Sequence, residues 1–176
     1  MSGTATLISL DEYLNTSYEP DMDFVDGVLV SRNVGTQRHG LLQLIVGSYF
    51  RQFRQTHNID VFAETRLRVD AASGRHRIPD VTVLKKPYQK GKVVIDSPAV
   101  IVEIQSPDDT FDDIVERCLD YDKLAVPDIL VMDPDHHRAW SFQDGSLTLL
   151  SGDSVTLHLQ DIVCPFAKLF TELDED

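Results

Sequence analysis

Cysteine is scarce in this sequence. The chain of 176 residues has two cysteines, Cys118 and Cys164, which are too few for a disulfide framework and have no metal-ligand spacing. This excludes a disulfide-rich secreted domain and fits a reducing compartment, so we expect a cytoplasmic protein. The sequence also lacks a basic segment followed by a long apolar run, so we expect neither a signal peptide nor a membrane span.

Positive charge is the second shortage. The chain has 16 Lys and Arg against 29 Asp and Glu, and its net charge is −13. This balance argues against a broad basic surface that grips nucleic acid. Half of the 16 basic residues nevertheless lie between Arg66 and Lys92. They form either a solvated strand face and loop or a local strip that faces phosphates beside Asp80.

The remaining composition is that of an ordinary globular domain, with 42% apolar and 26% charged residues. The length suits one domain over residues 1–176 better than two. Within it, residues 1–20 are expected to form a helix and lead-in, and residues 171–176 a frayed acidic tail.

Apolar periodicity predicts helices at about 39–57 and 111–124, with a short capped helix near Ser9. Alternating β-branched segments predict strands, and two Asp-Gly pairs predict hairpin turns. We expect segments 60–69 and 76–84 to pair as a hairpin, and 155–159 to extend a second hairpin at 138–150. The order of elements predicts a mixed α/β domain with a central sheet covered by helices.

Two predicted apolar strands each carry one carboxylate where a hydrophobic residue would be expected. Asp80 opens the strand at 78–84, and Glu103 lies inside the strand at 99–105 between two apolar neighbours. Side chains alternate along a strand, so Glu103 and Gln105 are predicted to share one face. A buried carboxylate is costly unless a cation compensates it.

Two carboxylates on adjacent strands can hold one Mg²⁺ ion, with the backbone carbonyl of Ile104 as a further oxygen ligand. Such an ion polarises a phosphate and activates water. Two alternatives stay open from the residues alone. Asp80 could be a polar strand opener, and Glu103 could form a structural ion pair with Arg66, Arg68 or Arg117.

These residues resemble a known superfamily. Pro79-Asp80 and Glu103-Ile104-Gln105 are similar to the motif of the PD-(D/E)xK nucleases. With the Asp26-Gly27 turn, His39 at the start of the long helix and Arg117 before Tyr121, the chain resembles the Uma-family restriction endonucleases over residues 23–142. The resemblance implies a restriction-endonuclease-like core, in which a central mixed sheet is flanked by helices, with a small C-terminal β extension. It also implies Mg²⁺ (or Mn²⁺) as cofactor, DNA as substrate and a homodimer.

The resemblance also assigns site residues. Asp80 and Glu103 match the metal-binding acids, His39 matches the histidine that opens the long helix, and Asp23 lies where this group often has a glutamate that assists the metal. The superfamily lysine is replaced by Gln105, which can orient water but carries no charge.

A second departure lies on the following helix, where the Uma-like group has a lysine four residues before a tyrosine. Here these positions are Arg117 and Tyr121. Arg117 can stabilise developing negative charge but cannot act as a base. Each helper also has a structural alternative: solvent contact for His39, a salt bridge to Asp113, Asp120 or Glu103 for Arg117, and half-buried packing for Tyr121.

The sequence therefore predicts a Mg²⁺-dependent endonuclease that hydrolyses phosphodiester bonds in DNA. The alternative is a catalytically impaired, dimeric nucleic-acid- or protein-binding module that retains the nuclease fold. The absence of the superfamily lysine and the excess of acidic residues motivate this second hypothesis.

Overall fold

The computed structural model describes residues 7–33, 35–159 and 162–175. The helices of these residues are α1 (Leu10–Asn15), α2 (Gln37–Arg51), α3 (Phe111–Lys123) and α4 (Phe166–Leu173). The strands are β1 (Met22–Val25), β2 (Val28–Ser31), β3 (Ile59–Ala63), β4 (Leu67–Arg68), β5 (His76–Arg77), β6 (Val81–Lys85), β7 (Val100–Ile104), β8 (Asp128–Asp133), β9 (Arg138–Gln143), β10 (Ser146–Leu149), β11 (Val155–Thr156) and β12 (Val163–Cys164).

A six-stranded mixed sheet in the order β10-β9-β8-β7-β6-β3 forms the centre of the molecule. Strands β7 and β8 are parallel, and the other neighbours are antiparallel. Helix α3 makes the connection between β7 and β8, because parallel strands need a crossover of a dozen or more residues. The predicted mixed α/β fold with a central mixed sheet and flanking helices is confirmed.

The central sheet is covered on both faces, and strand alternation decides which residues meet which helix. Val100, Val102 and Ile104 of β7 belong to the core that contains α2 and α4. Ile101 of β7 belongs to the second core, which contains the buried face of α3. Glu103 has the parity of Ile101 and therefore lies on the α3 side of the sheet.

A second, four-stranded sheet has the order β2-β1-β5-β4. The β1–β2 hairpin turns at Asp26-Gly27, where φ is 51° and 89°, and confirms the predicted Asp-Gly turn. The predicted pairing of 60–69 with 76–84 also occurs, but it is divided between the two sheets. Strand β3 pairs with β6 in the central sheet, while β4 pairs with β5 in the smaller one.

The structure differs from prediction at the ends of some elements. Helix α2 ends at Arg51, and turns follow it to residue 58, so the helix predicted to residue 57 is shorter. Residues 155–159 do not extend the second hairpin, because β11 pairs with β12 as a separate two-stranded sheet. The frayed tail was predicted to start at residue 171, but α4 continues to Leu173, which is buried in the core that contains α2.

Candidate active site

Sheet pairing brings Asp80 and Glu103 together. Val81 of β6 pairs with Val102 of β7, so Asp80, just before β6, lies beside Glu103. Both side chains are almost fully buried, with residue exposures of 1% and 2%. They line a pocket of about 20 Å³, called here the acid pocket. Its lining is Arg32, Asn33, His39, Asp80, Glu103, Ile104, Ser106, Asp109 and Arg117.

Each oxygen of the Asp80 carboxylate has a donor. Oδ2 accepts a 2.7 Å hydrogen bond from the backbone N–H of Ile104, and Oδ1 accepts one of 2.7 Å from Arg32 Nη2. Nε2 of His39 lies 3.5 Å from Oδ2. Burial raises the pKa of Asp80, but His39, Arg32 and the Ile104 amide outweigh it and hold that pKa below its ordinary value.

Glu103 is held differently, by two groups on α3. Tyr121 Oη donates a 2.6 Å hydrogen bond to Oε1, and Arg117 Nε lies 3.1 Å from Oε2. Burial raises the pKa of Glu103 to about 7, and the opposing Arg117 charge only partly offsets this. The two acids of one pocket are therefore shifted in opposite directions.

Arg117 approaches Glu103 without good hydrogen-bond alignment. Its buried Nε has no hydrogen-bond partner among the described residues, although the ion-pair distance to Glu103 is 3.1 Å. Its Nη1 lies 3.4 Å from Asp109 Oδ1. Of the predicted salt bridges for Arg117, the one to Glu103 is present. The Nε–H of Arg117 is therefore a hydrogen-bond donor beside the acid pocket without an acceptor in the described part of the chain.

His39 and Tyr121 also lie at the site. Thr36 caps α2 by accepting the His39 N–H at 3.2 Å, which places the imidazole against Asp80 and the Ile104 carbonyl. Burial lowers the pKa of His39, but the contacts with Asp80 and that carbonyl raise it overall. The structural alternatives do not describe these two residues. His39 is buried and does not face solvent, and Tyr121 is fully buried and donates a hydrogen bond to Glu103.

Two predicted site residues do not reach the acid pocket. Asp23 accepts hydrogen bonds from Arg77 Nη1 at 3.1 Å and from the N–H of Ile78 at 3.0 Å, and it lines the neighbouring cleft. Gln105 lies one residue beyond β7, donates its N–H to the Met132 carbonyl, and is absent from the pocket lining. Their assisting roles stay predictions.

Comparison with known proteins decides the family. The model of the Uma2 family, described as "Putative restriction endonuclease", matches residues 10–164. The chain belongs to the Uma2 family. No curated protein matches the chain in sequence.

Two solved structures are similar to this Uma2 chain. One is the crystal structure of "a putative nuclease belonging to DUF820" from Anabaena variabilis ATCC 29413, with a TM-score of 0.80 and 18% identity over 94% of this chain and 99% of that one. The other is the cryo-EM structure of the DrdV–DNA complex, with a TM-score of 0.38 and 17% identity over 77% of this chain and 11% of that one. The first shares the fold of this Uma2 chain.

Arg32 is the site residue that sequence reasoning missed. It follows β2, lies 48 residues before Asp80 in the chain, and forms the shortest ion pair of the acid pocket. The hairpin signal at Asp26-Gly27 predicts the strands, but nothing local indicates that the end of β2 reaches β6. A contact of this kind depends on how the two sheets pack.

The basic strip between Arg66 and Lys92 does not face phosphates as one surface. Arg66 pairs with Asp21, Arg75 with Asp26 and Asp120, and Lys86 with Asp60. Arg77 is buried and contacts three carboxylates. Each of these four cations already has a carboxylate partner, so they do not form one free basic surface, and the phosphate-facing alternative stays a prediction.

The donor set at the acid pocket agrees in kind with Mg²⁺. Asp80, Glu103 and the Ile104 carbonyl would offer hard oxygen donors, and Mg²⁺ usually keeps several waters and needs one or two carboxylates. Over residues 7–33, 35–159 and 162–175, no three His, Cys, Asp or Glu side chains gather as a metal cluster. An ion here would rely on water or substrate for its other ligands.

The part of the chain that the structure describes has no helix of the length and apolar character needed to cross a bilayer.

Proposed function

We propose that this Uma2 protein is a Mg²⁺-dependent endonuclease that hydrolyses phosphodiester bonds in DNA. The observation that carries the proposal is the convergence of Asp80 and Glu103 on one small buried pocket beside the Ile104 backbone. In a family described as restriction endonucleases, two buried carboxylates with a shared opening are best explained as ligands of one cation.

Asp80, Glu103 and the Ile104 carbonyl would hold Mg²⁺, or Mn²⁺ in its place. The ion supplies Lewis-acid polarisation of the phosphate and a lower pKa for a bound water. Glu103 must be ionised to bind a cation, and its pKa of about 7 means that this happens near neutral pH. Tyr121 fixes the orientation of the Glu103 carboxylate by its hydrogen bond to Oε1.

The remaining side chains act on charge and on water. Arg117 stabilises the negative charge that develops on the phosphate with its guanidinium, whose Nε has no hydrogen-bond partner among the described residues. It cannot remove a proton from water, because a guanidinium stays charged. His39 holds Asp80 and can contact the phosphate from the α2 terminus. Gln105 orients the attacking water, which requires its side chain to turn toward the pocket.

The direct test is cleavage of plasmid DNA in Mg²⁺ or Mn²⁺ by the wild type, Asp80→Asn and Glu103→Gln. Loss of a metal ligand removes several kcal/mol of transition-state stabilisation, so each variant should cut at least about a hundredfold more slowly. Asp144→Asn is the matched control, because Asp144 lies in the β9–β10 turn and Asn tolerates its φ of 51°.

Chelation of divalent ions should abolish cleavage by the wild type and by Asp144→Asn alike. Equal cleavage by the wild type, Asp80→Asn and Glu103→Gln would reject the assignment of the site. Cleavage that survives chelation would reject the cofactor.

A second candidate function rests on a specific observation: each acid already has a guanidinium partner, Arg32 for Asp80 and Arg117 for Glu103. A protein that lost the chemistry could keep these pairs as structure and serve as a dimeric nucleic-acid- or protein-binding module. Absence of Mn²⁺ binding at low salt, with DNA binding retained, would favour this function. Light scattering tests the homodimer that both candidates share.

A further inference from the structure

The guanidinium of Arg32 is bound to the Asp80 carboxylate, which a metal ion would need as a ligand. Its Nη2 lies 2.7 Å from Asp80 Oδ1, while the other oxygen, Oδ2, accepts the Ile104 amide at 2.7 Å. Each oxygen of Asp80 therefore already accepts one hydrogen bond, and a cation that binds Oδ1 competes with Arg32 for it. The Arg32 side chain is 20% exposed, so one side of it reaches solvent.

The size of the acid pocket leads to the same conclusion. Its volume of about 20 Å³ is enough for about one water molecule. Mg²⁺ requires octahedral oxygen coordination at about 2.0–2.1 Å and keeps several waters. A hydrated ion therefore does not fit between Asp80 and Glu103 until the Arg32 guanidinium moves away.

A second position for Arg32 is available. Its Nη1 lies 3.7 Å from Oε1 of Glu64, whose side chain is 57% exposed. Arg32 and Glu64 both line a larger cavity of about 370 Å³ beside the acid pocket, which His39 also lines. Rotation toward Glu64 keeps the guanidinium paired with a carboxylate and frees Asp80 Oδ1.

Charge gives the movement a direction. Without a cation, Asp80 and Glu103 attract Arg32 inward, whereas a divalent ion between them repels the guanidinium. Once outside, Arg32 stands at the mouth of the acid pocket with a planar fork of donors, which is well suited to bind a phosphate through two parallel hydrogen bonds.

We propose that Arg32 is a phosphate-binding residue for the substrate, which Asp80 holds until a divalent cation displaces it toward Glu64. The inference rests on the proposed function and deepens it, because it makes cation binding a condition for substrate binding. A nucleic-acid phosphodiester is the ligand class, and Arg32 is its anchor next to the scissile bond.

The first experiment is calorimetric titration of the protein with Mn²⁺. Arg32→Gln removes the competing cation, so its affinity for Mn²⁺ should be about tenfold above that of the wild type, as expected for loss of one charge-assisted contact of about 1.4 kcal/mol. The matched control is Arg38→Gln. Arg38 lies next to His39 in sequence but pairs with Asp135 and Asp174, so its replacement should leave the Mn²⁺ affinity unchanged.

A double-mutant cycle separates displacement of Arg32 from a general change of charge. Glu64→Gln should weaken Mn²⁺ binding in the wild type, because it removes the second position of Arg32. It should have no effect in the Arg32→Gln background. Equal weakening in both backgrounds would show that Glu64 acts on the ion directly and would overturn the proposed movement.

The phosphate contact is tested with a labelled phosphorothioate DNA duplex, which is hydrolysed slowly, by fluorescence anisotropy. Addition of Mn²⁺ should strengthen DNA binding by the wild type, and the gain should be about tenfold smaller in Arg32→Gln. Arg32→Lys should keep only part of the gain, because Lys lacks the planar fork. An equal gain in all three proteins would overturn the phosphate-binding role.

The outcomes also distinguish this inference from the function on which it rests. If the wild type and Arg32→Gln bind Mn²⁺ equally well, the inference about Arg32 fails while the metal site stands. If neither protein binds Mn²⁺, the proposed function fails and the inference fails with it. Binding by Arg32→Gln alone would show that Asp80 and Glu103 can hold the ion but that a cation does not displace Arg32 in the wild type, which would overturn the inference.

Discussion

Helix α3 takes part in two buried charge clusters that are built in opposite ways. In the first, called here the Arg77 cluster, a cation lies at the centre: Arg77 is 3% exposed and its guanidinium contacts three carboxylates. These are Asp23 of β1 and Glu116 and Asp120 of α3. Each arm of this guanidinium is bonded, and Lys123 and Arg75 add charge to Asp120.

In the acid pocket the carboxylates are central and the cations come from outside. Asp80 and Glu103 are buried, while the side chains of Arg32 and Arg117 are 20% and 17% exposed. The cations that can leave are therefore the ones that solvent reaches. We expect the two arrangements to differ in role: a central cation closes the Arg77 cluster, whereas central anions with partly exposed partners suit a site that exchanges those partners for a metal ion.

The largest expected effect separates the two clusters by stability. Arg77→Met should lower the free energy of unfolding by about 3–5 kcal/mol, because it leaves Asp23 buried without its cation and takes from Asp120 one of its three cationic partners. Arg32→Gln should cost less, about 2 kcal/mol, since Asp80 keeps the Ile104 amide and His39. Urea unfolding measures both. Equal losses would mean that the Asp80–Arg32 pair is as structural as the Arg77 cluster.

A smaller effect is expected at Tyr121, which holds Glu103 from α3 without lining the acid pocket. Tyr121→Phe removes the 2.6 Å hydrogen bond to Glu103 and nothing else of size. Loss of a hydrogen bond to an ionised group should lower the free energy of unfolding by about 2 kcal/mol and weaken Mn²⁺ binding. Urea unfolding and calorimetry check the two effects. Unchanged Mn²⁺ affinity would mean that Tyr121 contributes only to packing.

The smallest effect concerns an ion cluster at the surface, which serves as a reference for the two buried ones. Asp60 accepts hydrogen bonds from Arg54 and from Tyr88, and Lys86 lies 3.2 Å away. Burial raises the pKa of Asp60, but these partners outweigh it and lower the pKa to about 2. Because exposed pairs contribute little, Asp60→Asn should cost at most about 1 kcal/mol at pH 7.

The lowered pKa of Asp60 determines how its contribution to stability depends on pH. Between the unfolded value of 3.8 and the folded value of about 2, the unfolded state binds more protons, so stability falls as the pH falls. The stability difference between the wild type and Asp60→Asn should therefore be complete above pH 4 and disappear as the pH drops through about 2. Thermal melts at several pH values measure it. A difference that grows on acidification would contradict the account.

Sequence patterns indicated those candidate site residues whose position depends only on residues nearby in the chain. Asp80 and Glu103 interrupt apolar strands, and Arg117 and Tyr121 share a helix face through their spacing, so short windows were sufficient. The Asp26-Gly27 turn could be predicted for the same reason.

Contacts between distant elements were beyond sequence patterns. Arg32 meets Asp80 because β2 belongs to a second sheet beside the first. Within that sheet the β1–β2 hairpin joins β5 through the pairing of Phe24 with His76. The same packing gives Asp23 to Arg77 instead of the acid pocket. The division of residues 59–85 between two sheets could not be deduced either, since either pairing satisfies the alternation of apolar residues.

The central claim is that Asp80 and Glu103 together hold one divalent cation. Its most direct test is calorimetric titration of the wild type, Asp80→Asn, Glu103→Gln and Asp144→Asn with Mn²⁺ at low salt, at a pH above 7, where Glu103 is ionised. We predict one Mn²⁺ ion per chain for the wild type and Asp144→Asn, and no binding for the other two variants. Undiminished binding by Asp80→Asn and Glu103→Gln, or its absence in the wild type, would contradict the claim.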